Sequence, residues 1–397
     1  METCYHNADV FNGFSIAKNC GVLIKSHKII DVFNEERFRT KKFKEDTKFI
    51  DLKGKLIAPG FIDTHIHGLE GFGTEDHTTK AILMMSQSLV KYGVTSFIPT
   101  LYSSPKAAMI KDIKAIVKAM GQEKGAQILG LHLEGPFISS KRLGAQKADS
   151  LSPVDLKLMD ELWKASEGHI INMTVAPELK NMRELALFCV GKGIVLQAGH
   201  TDATYKQMLE GMQCRITHTT HLFNAMSRIH HRDPGAVGAV LIHPEMSCEL
   251  IADGIHVNPD LIKLLAANKP MEKLVLVTDA LKPTEQKKGP FIANGVEVYF
   301  DKCFYAKPTA SNHSSEHAGN EGVIAGSGLT MIKGVRNLVD FGLPLDHALM
   351  MASANPARIM RLEHKGLIAP GYDADLVILD NKLEVKTTII AGKIYNF

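Results

Sequence analysis

The stretch LIAPGFIDTHIHG, residues 56–68, climbs through apolar residues to a Pro-Gly step and continues as a short strand ending in Asp63, His65 and His67. Successive side chains on a strand alternate faces, so His65 and His67 point the same way with Cα atoms roughly 6.6 Å apart. Two imidazoles so placed can grip one metal ion. An HxH pair taken alone is more often two packed or solvated histidines. Here the apolar lead-in and the ligand-type residues downstream turn the reading toward a metal site.

Outward from this stretch, strand-like apolar runs recur with helical segments in the gaps, the pattern of βα units. The expected strands are 60–63, 95–101, 128–134, 171–178, 194–200, 215–221, 248–256 and 273–280. Helices are expected at about 78–92, 105–120, 153–167, 181–191, 203–212, 258–268 and 328–341. Eight strands of this kind point to an α/β fold, a (β/α)₈ TIM-type barrel. Residues 1–57 and 366–397 read as short strands and turns, each end too small to hold a core alone. Together they are expected to form one small β-sandwich domain, leaving 58–365 as the barrel. The charged stretch from Asn34 to Lys48 reads as a solvated loop or edge. A β-hairpin is expected around Ala293-Asn294-Gly295, and the polar run 307–322, with His313 and His317 as bystanders, reads as a loop or lid.

The chain has 397 residues, 45% hydrophobic and 22% charged, with 46 basic and 43 acidic side chains for a net charge of +3. The charges are spread throughout, so no nucleic-acid face and no membrane-surface helix stands out. Cys4, Cys20, Cys189, Cys214, Cys248 and Cys303 form no CxxC pair and have no disulfide-type spacing. They read as reduced, which implies the cytoplasm. No signal peptide and no long apolar span is visible. Walker loops, dinucleotide GxGxxG and internal repeats are likewise missing.

Active sites of such barrels lie at the C-terminal ends of the strands. His65 and His67 follow the first strand, Glu134 ends the third, His200 the fifth, His221 the sixth and Asp279 the eighth. Each is a weak signal alone; their convergence is not. Imidazoles and carboxylates without thiolate suit Zn²⁺, Fe²⁺ or Mn²⁺. Asp279 suits a general base as well as a ligand. His218, three residues before His221, should face the helices. Asn224, the backbone near Ala225, Arg232 and His256 could together hold a phosphate.

The motifs APGFIDTHIHG (58–68), LHLEGPF (131–137), AGHTDAT (198–204), THLFNAM (220–226), ADGIHV (252–257), LVTDA (276–280) and AGSGLTM (325–331) resemble the amidohydrolase superfamily. Within it, the combination is similar to the family of N-acetylglucosamine-6-phosphate deacetylases. ANPAR (354–358) and GLIAPGYDADLVILD (366–380) extend the resemblance essentially end to end. It implies hydrolysis of N-acetylglucosamine 6-phosphate to glucosamine 6-phosphate and acetate, in amino-sugar catabolism. It also implies one or two divalent cations per subunit, zinc or iron first, and a homodimer. By position, Glu134, His200 and His221 would hold the main metal, with His65 and His67 allowing a second. Asp279 would move the proton. Ala145, Gln146, Asn224, Ala225, Arg232, His256, Val323, Ile324 and Ala325 would line the substrate. Some members carry a histidine where this chain has Gln146, so any role there falls to an amide. The run 307–320 looks longer than the family's usual connection.

Two other readings stay open at this point. One is another amidohydrolase, acting on a related amino-sugar phosphate or a cyclic amide. Against the cyclic-amide reading, the fourth strand ends Thr174-Val175-Ala176-Pro177-Glu178 with no lysine to bridge two metals. The other is a non-catalytic binding barrel, against which the intact ligand set argues.

Overall fold

The computed structural model describes residues 2–287, 291–306 and 323–397. The barrel strands are Phe61–Ile66, Val94–Tyr102, Leu131–Glu134, Ile170–Val175, Val195–Ala198, Ile216–Thr219, Ser247–Ile251 and Leu274–Val277. They are buried almost throughout and pair in parallel, each with the next in the chain. The circuit closes between the eighth strand and the first. Asp279 N–H donates to His65 O at 2.8 Å, His67 N–H to Ala280 O at 3.0 Å, and Thr278 Oγ1 to Asp63 Oδ2 at 2.6 Å. The residues expected to do chemistry thus also seal the barrel.

All eight expected strands are present, but several stop short of their expected ends. The fifth ends at Ala198, the sixth at Thr219 and the eighth at Val277. Beyond them His200, His221 and Asp279 adopt φ of 45°, 25° and 48°. Such left-handed backbone is costly for residues other than glycine, so it occurs where surrounding contacts enforce it. The turn it makes takes these three side chains off the strand direction.

The expected helices form within a few residues of their expected limits, and several begin at caps. Thr78, Asp155 and Asn258 accept hydrogen bonds from the first-turn amides, and Thr204 with Gln207 forms a capping box. Among the described residues, four further α-helices were not expected: Glu35–Thr40, Gly235–Ile242, Leu345–Ala352 and Ala354–Ile359. GAVGAVLI has two glycines and no polar face, so it lacks the amphipathic period by which a helix is read. It forms because Gly235 through Val240 are all buried.

Both chain ends meet in one sheet. Glu2–Phe11 pairs antiparallel with Ile16–Lys25 and parallel with Lys48–Asp51 and Leu56–Pro59. Leu376–Leu379 runs antiparallel to Leu56–Pro59 and continues through Val385–Ile390 to Lys393–Asn396. Tyr5, Val22, Ile57, Leu376, Ile378 and Ile389 belong to its own core. Leu56–Pro59 is therefore a strand of this sheet, and Gly60 alone separates it from the first barrel strand. A Cβ on Gly60 would lie 2.1 Å from Thr95 Cγ2, so the chain can pass there only as glycine.

The charged stretch from Asn34 to Lys48 is not simply a solvated loop. Asn34 caps a helix at Glu35–Thr40, and Phe38 and Phe43 pack against Cys4, Leu23 and Phe33. The charges masked two aromatic anchors. The hairpin is present, with Asn294 and Gly295 both at positive φ, 51° and 65°, as a two-residue turn of this hand requires. It belongs to a four-stranded antiparallel sheet that ends with Val323–Gly326. The run 307–322, with His313 and His317, lies outside the described residues. Among the described residues no helix is long and apolar enough to cross a membrane.

Candidate metal centre at the barrel mouth

Six buried side chains meet where the strands end, in two groups of three. His65, His67 and Asp279 form one, and Glu134, His200 and His221 the other; within each, one ligand atom per residue lies within 4.8 Å of the others. Glu134 stands between them. Its Oε1 lies 3.0 Å from both His200 Nε2 and His221 Nε2 and 3.6 Å from His65 Nε2, while its Oε2 lies 3.4 Å from His67 Nε2. Asp279 Oδ1 is 3.4 Å from the Nε2 atoms of His65 and His67.

Three of the imidazoles are oriented from behind. His65 Nδ1 donates to Glu249 Oε2 at 2.9 Å, His67 Nδ1 to Thr100 O at 3.1 Å, and His200 Nδ1 to Arg142 O at 3.0 Å. Since carbonyl and carboxylate oxygens only accept, the proton sits on Nδ1 and each Nε2 turns toward the cluster. The Tyr102 ring also stacks on His67, with centroids 3.7 Å apart and planes 3° from parallel. His65 Nε2 is buried without a hydrogen-bond partner among the described residues.

Electrostatics point the same way. Burial alone would push Glu134 up, but the charges and hydrogen bonds of His200, His221 and His67 outweigh it and hold the carboxyl well below its usual range. Burial also raises Asp279, and His65 and His67 more than reverse that. For His65, burial lowers the pKa, yet Glu249, Asp279 and Glu134 carry it to about 10. Where buried carboxylates raise His65 and His67 in this way, a divalent cation can replace the proton they favour. The donor set of nitrogens and oxygens, and the bare Nε2 of His65, fit such an ion.

The structure gathers most of the other expected positions around this cluster. Gln146 Nε2 donates to Glu134 Oε2 at 2.7 Å, and its Oε1 accepts from Ser103 N at 3.2 Å. Both ends of the amide are engaged, so Gln146 braces the carboxylate rather than standing free for a substrate carbonyl. Ala145 precedes it, half-buried. Asn224 donates its amide to His221 O and Leu222 O at 3.3 and 3.2 Å, and Ala225, at φ 50°, accepts from Thr201 N at 3.1 Å. His256 is fixed by Asp253 Oδ2 at 2.6 Å; burial lowers its pKa, but Asp253 raises it above the usual value. Val323, Ile324 and Ala325 lie on the strand whose continuation reaches Asp279 O through Ser327 N, at 2.9 Å. Arg232 is set apart: it is exposed, and its guanidinium contacts His231 Nε2 at 3.0 Å.

One expectation is corrected. His218 does not face the helices; its Nδ1 meets Ser247 Oγ at 2.8 Å and its Nε2 lies 3.9 Å from Glu249 Oε1, inside the barrel. Strand alternation stops after Thr219, so a three-residue spacing to His221 no longer means opposite faces. Glu249, Gln197 and Asn172 were missed altogether. They reveal themselves only as polar residues inside otherwise apolar strands.

The chain is similar to known proteins in sequence and in fold. A model of the Amidohydrolase family matches residues 56–395. The chain is 34% identical over 351 residues to N-acetylglucosamine-6-phosphate deacetylase of Lysinibacillus sphaericus, a match covering 86% of each chain. To the enzyme of that name from Homo sapiens it is 35% identical over 360 residues, covering 87% of this chain and 84% of the other. Among solved structures, that of N-acetylglucosamine-6-phosphate deacetylase from Pasteurella multocida superposes with a TM-score of 0.90 at 29% identity, all of both chains being covered. A mutant of the Mycobacterium smegmatis enzyme, solved in complex with N-acetyl-D-glucosamine-6-phosphate, gives a TM-score of 0.87 at 27% identity over 99% of this chain and 98% of that one.

Proposed function

The chain belongs to the amidohydrolase family, in its branch of N-acetylglucosamine-6-phosphate deacetylases, and from that premise we propose that it hydrolyses N-acetylglucosamine 6-phosphate to glucosamine 6-phosphate and acetate. The observation that carries the reading is the buried pair of three-donor groups at the strand ends, with Glu134 of one standing beside His65 and His67 of the other. A divalent cation held there would polarise a carbonyl and bring the pKa of water to about 7. Glu134, His200 and His221 would hold it, and His65, His67 and Asp279 would support a second. Zinc or iron suits these donors first, with manganese also within their range.

Asp279, kept ionised by the imidazoles beside it, takes the proton of the attacking water and delivers it to the leaving amine nitrogen as the C–N bond breaks. Its left-handed turn fixes the carboxylate at the mouth, where an acetamide can reach it. His256, oriented by Asp253, donates to the acetyl oxygen or a sugar hydroxyl. Asn224 and Ala225 take the sugar phosphate, which Arg232, exposed and apart from the cluster, joins by turning from His231; Ala145 and residues 323–325 line the sugar, with Gln146 held against Glu134 behind it. The molecule works as a homodimer in the cytoplasm, a placement that the six free cysteines support.

The test is acetate release from N-acetylglucosamine 6-phosphate beside the unphosphorylated sugar, with metal content and light-scattering mass taken on the same sample. Release confined to the phosphorylated sugar, by metal-containing dimers, is expected. Metal without release would sink the substrate assignment, and absence of both after adding divalent ions would sink the enzyme.

A further inference from the structure

We propose that Glu249, in the seventh barrel strand, is a positioning residue that orients both donor groups of the metal centre from within the barrel. The proposal rests on the metal-centre reading but not on the substrate. One oxygen does both tasks: Glu249 Oε2 accepts from His65 Nδ1 at 2.9 Å and from the backbone N–H of His221 at 3.3 Å. The first contact keeps a proton on His65 Nδ1, so the nitrogen that a metal ion would take is Nε2, which lies 3.4 Å from Asp279 Oδ1 and 3.6 Å from Glu134 Oε1. The second holds the turn at φ 25° from which His221 Nε2 reaches Glu134 Oε1 at 3.0 Å. One carboxylate therefore serves a ligand of each group.

Glu249 is itself held. Its Oε1 accepts from Gln197 Nε2 at 2.7 Å, and Gln197 Oε1 accepts from Asn172 Nδ2 at 2.6 Å. Glu249, Gln197 and Asn172 are all fully buried, on the seventh, fifth and fourth strands, in a layer beneath the metal centre. A carboxylate carried into a barrel interior is costly unless it is paired and hydrogen-bonded. Both oxygens here are spoken for by donors, and the chain of amides behind them fixes the direction in which the carboxylate points. Partners of this kind set the tautomer and orientation of metal-bound histidines, and their loss usually weakens metal binding about 10- to 100-fold.

The experiment is Glu249→Gln, which keeps the shape and removes the charge. Zn²⁺ affinity is measured by competition with a chelator, and the visible absorption of the Co²⁺-loaded protein is compared with that of the parent. We expect affinity about 10-fold or more weaker and an altered Co²⁺ spectrum. Unchanged affinity with an unchanged spectrum would overturn the proposal. Should the variant fail to fold, ¹⁵N-histidine NMR of the Zn²⁺-loaded parent decides instead, the His65 signal being identified by its loss in His65→Asn. A protonated Nδ1 with metal-bound Nε2 is expected; metal on Nδ1, or a protonated Nε2, refutes the role. No arm uses turnover, so a failure of the deacetylase reading would leave this result separately readable.

Discussion

Asp279 combines burial, a left-handed backbone and two imidazole neighbours in one residue, and each has a separate consequence. Replacing it by asparagine keeps the size and removes the proton acceptor. Asp279→Asn is expected to lower turnover by about 10² or more, with metal content mostly retained. Steady-state rates with metal analysis check it, and near-normal turnover would remove Asp279 from its role. His132, one layer below, behaves oppositely to His65. Burial first, and then the positive charge of His65, lower its pKa from 6.5 to about 3. Thr100 and Thr174 satisfy its two ring nitrogens at 3.2 and 2.8 Å, so it is built to remain neutral. As pH falls through 6.5 the unfolded chain binds a proton at this site and the folded one does not until about 3. The stability contributed is therefore complete above 6.5 and lost between 6.5 and about 3, with a slope of at most ~1.4 kcal/mol per pH unit. Urea midpoints of metal-free protein from pH 7 to pH 4 should fall less steeply for His132→Gln than for the parent, and parallel slopes would contradict the assignment.

Among the elements, the helix Gly235–Ile242 shows how tertiary contacts supply what a local pattern lacks. One carbonyl of its last turn, that of Val240, and the carbonyl of His243 just beyond are met by the buried Lys269 Nζ. Lys269→Met would fill similar space while leaving those carbonyls unmet, at about 1–3 kcal/mol. A melting temperature lower by several degrees is expected, and an unchanged one would show that the lysine is dispensable there. The same helix marks the limit of reading from sequence. The eight strands were legible because each is a short apolar run bounded by turn residues, and the capped helices because their apolar positions recur with helical period. Gly235–Ile242 has neither signature. Phe38 and Phe43 were hidden among charges. The six cluster residues were legible because ligand-type side chains at strand ends are rare by chance. Glu249, Gln197 and Asn172 were not, since their meaning depends on parallel register, which sets Asn172 beside Val195 and Gln197 beside His218. The strand ends were overestimated for a related reason: the left-handed turn at His200, His221 and Asp279 is a product of assembly, not of local preference.

For the whole molecule, the metal centre is also a stability element. The cluster joins the first, third, fifth, sixth and eighth strand ends, so an ion bound only by the folded chain favours folding by about 2.7 kcal/mol at a free concentration of 100 times its Kd. Chelation should lower the melting temperature and Zn²⁺ should restore it, whether or not any sugar is hydrolysed. Calorimetry before and after metal removal checks this, and an unchanged transition would contradict it. A second feature acts at the same scale. Leu56–Pro59 is clasped by Leu376–Leu379, and Gly60 alone separates it from the strand that carries His65 and leads to His67. On the ribosome Leu56–Pro59 can pair early with Glu2–Phe11, but its second partner emerges only after residues 60–375 have been made. Domains generally begin to fold from the N-terminal side during synthesis. Here the strand leading into the two histidines cannot be clasped on both sides until the chain is nearly complete, so a nascent chain stalled before residue 376 would hold an unfinished grip on its ion.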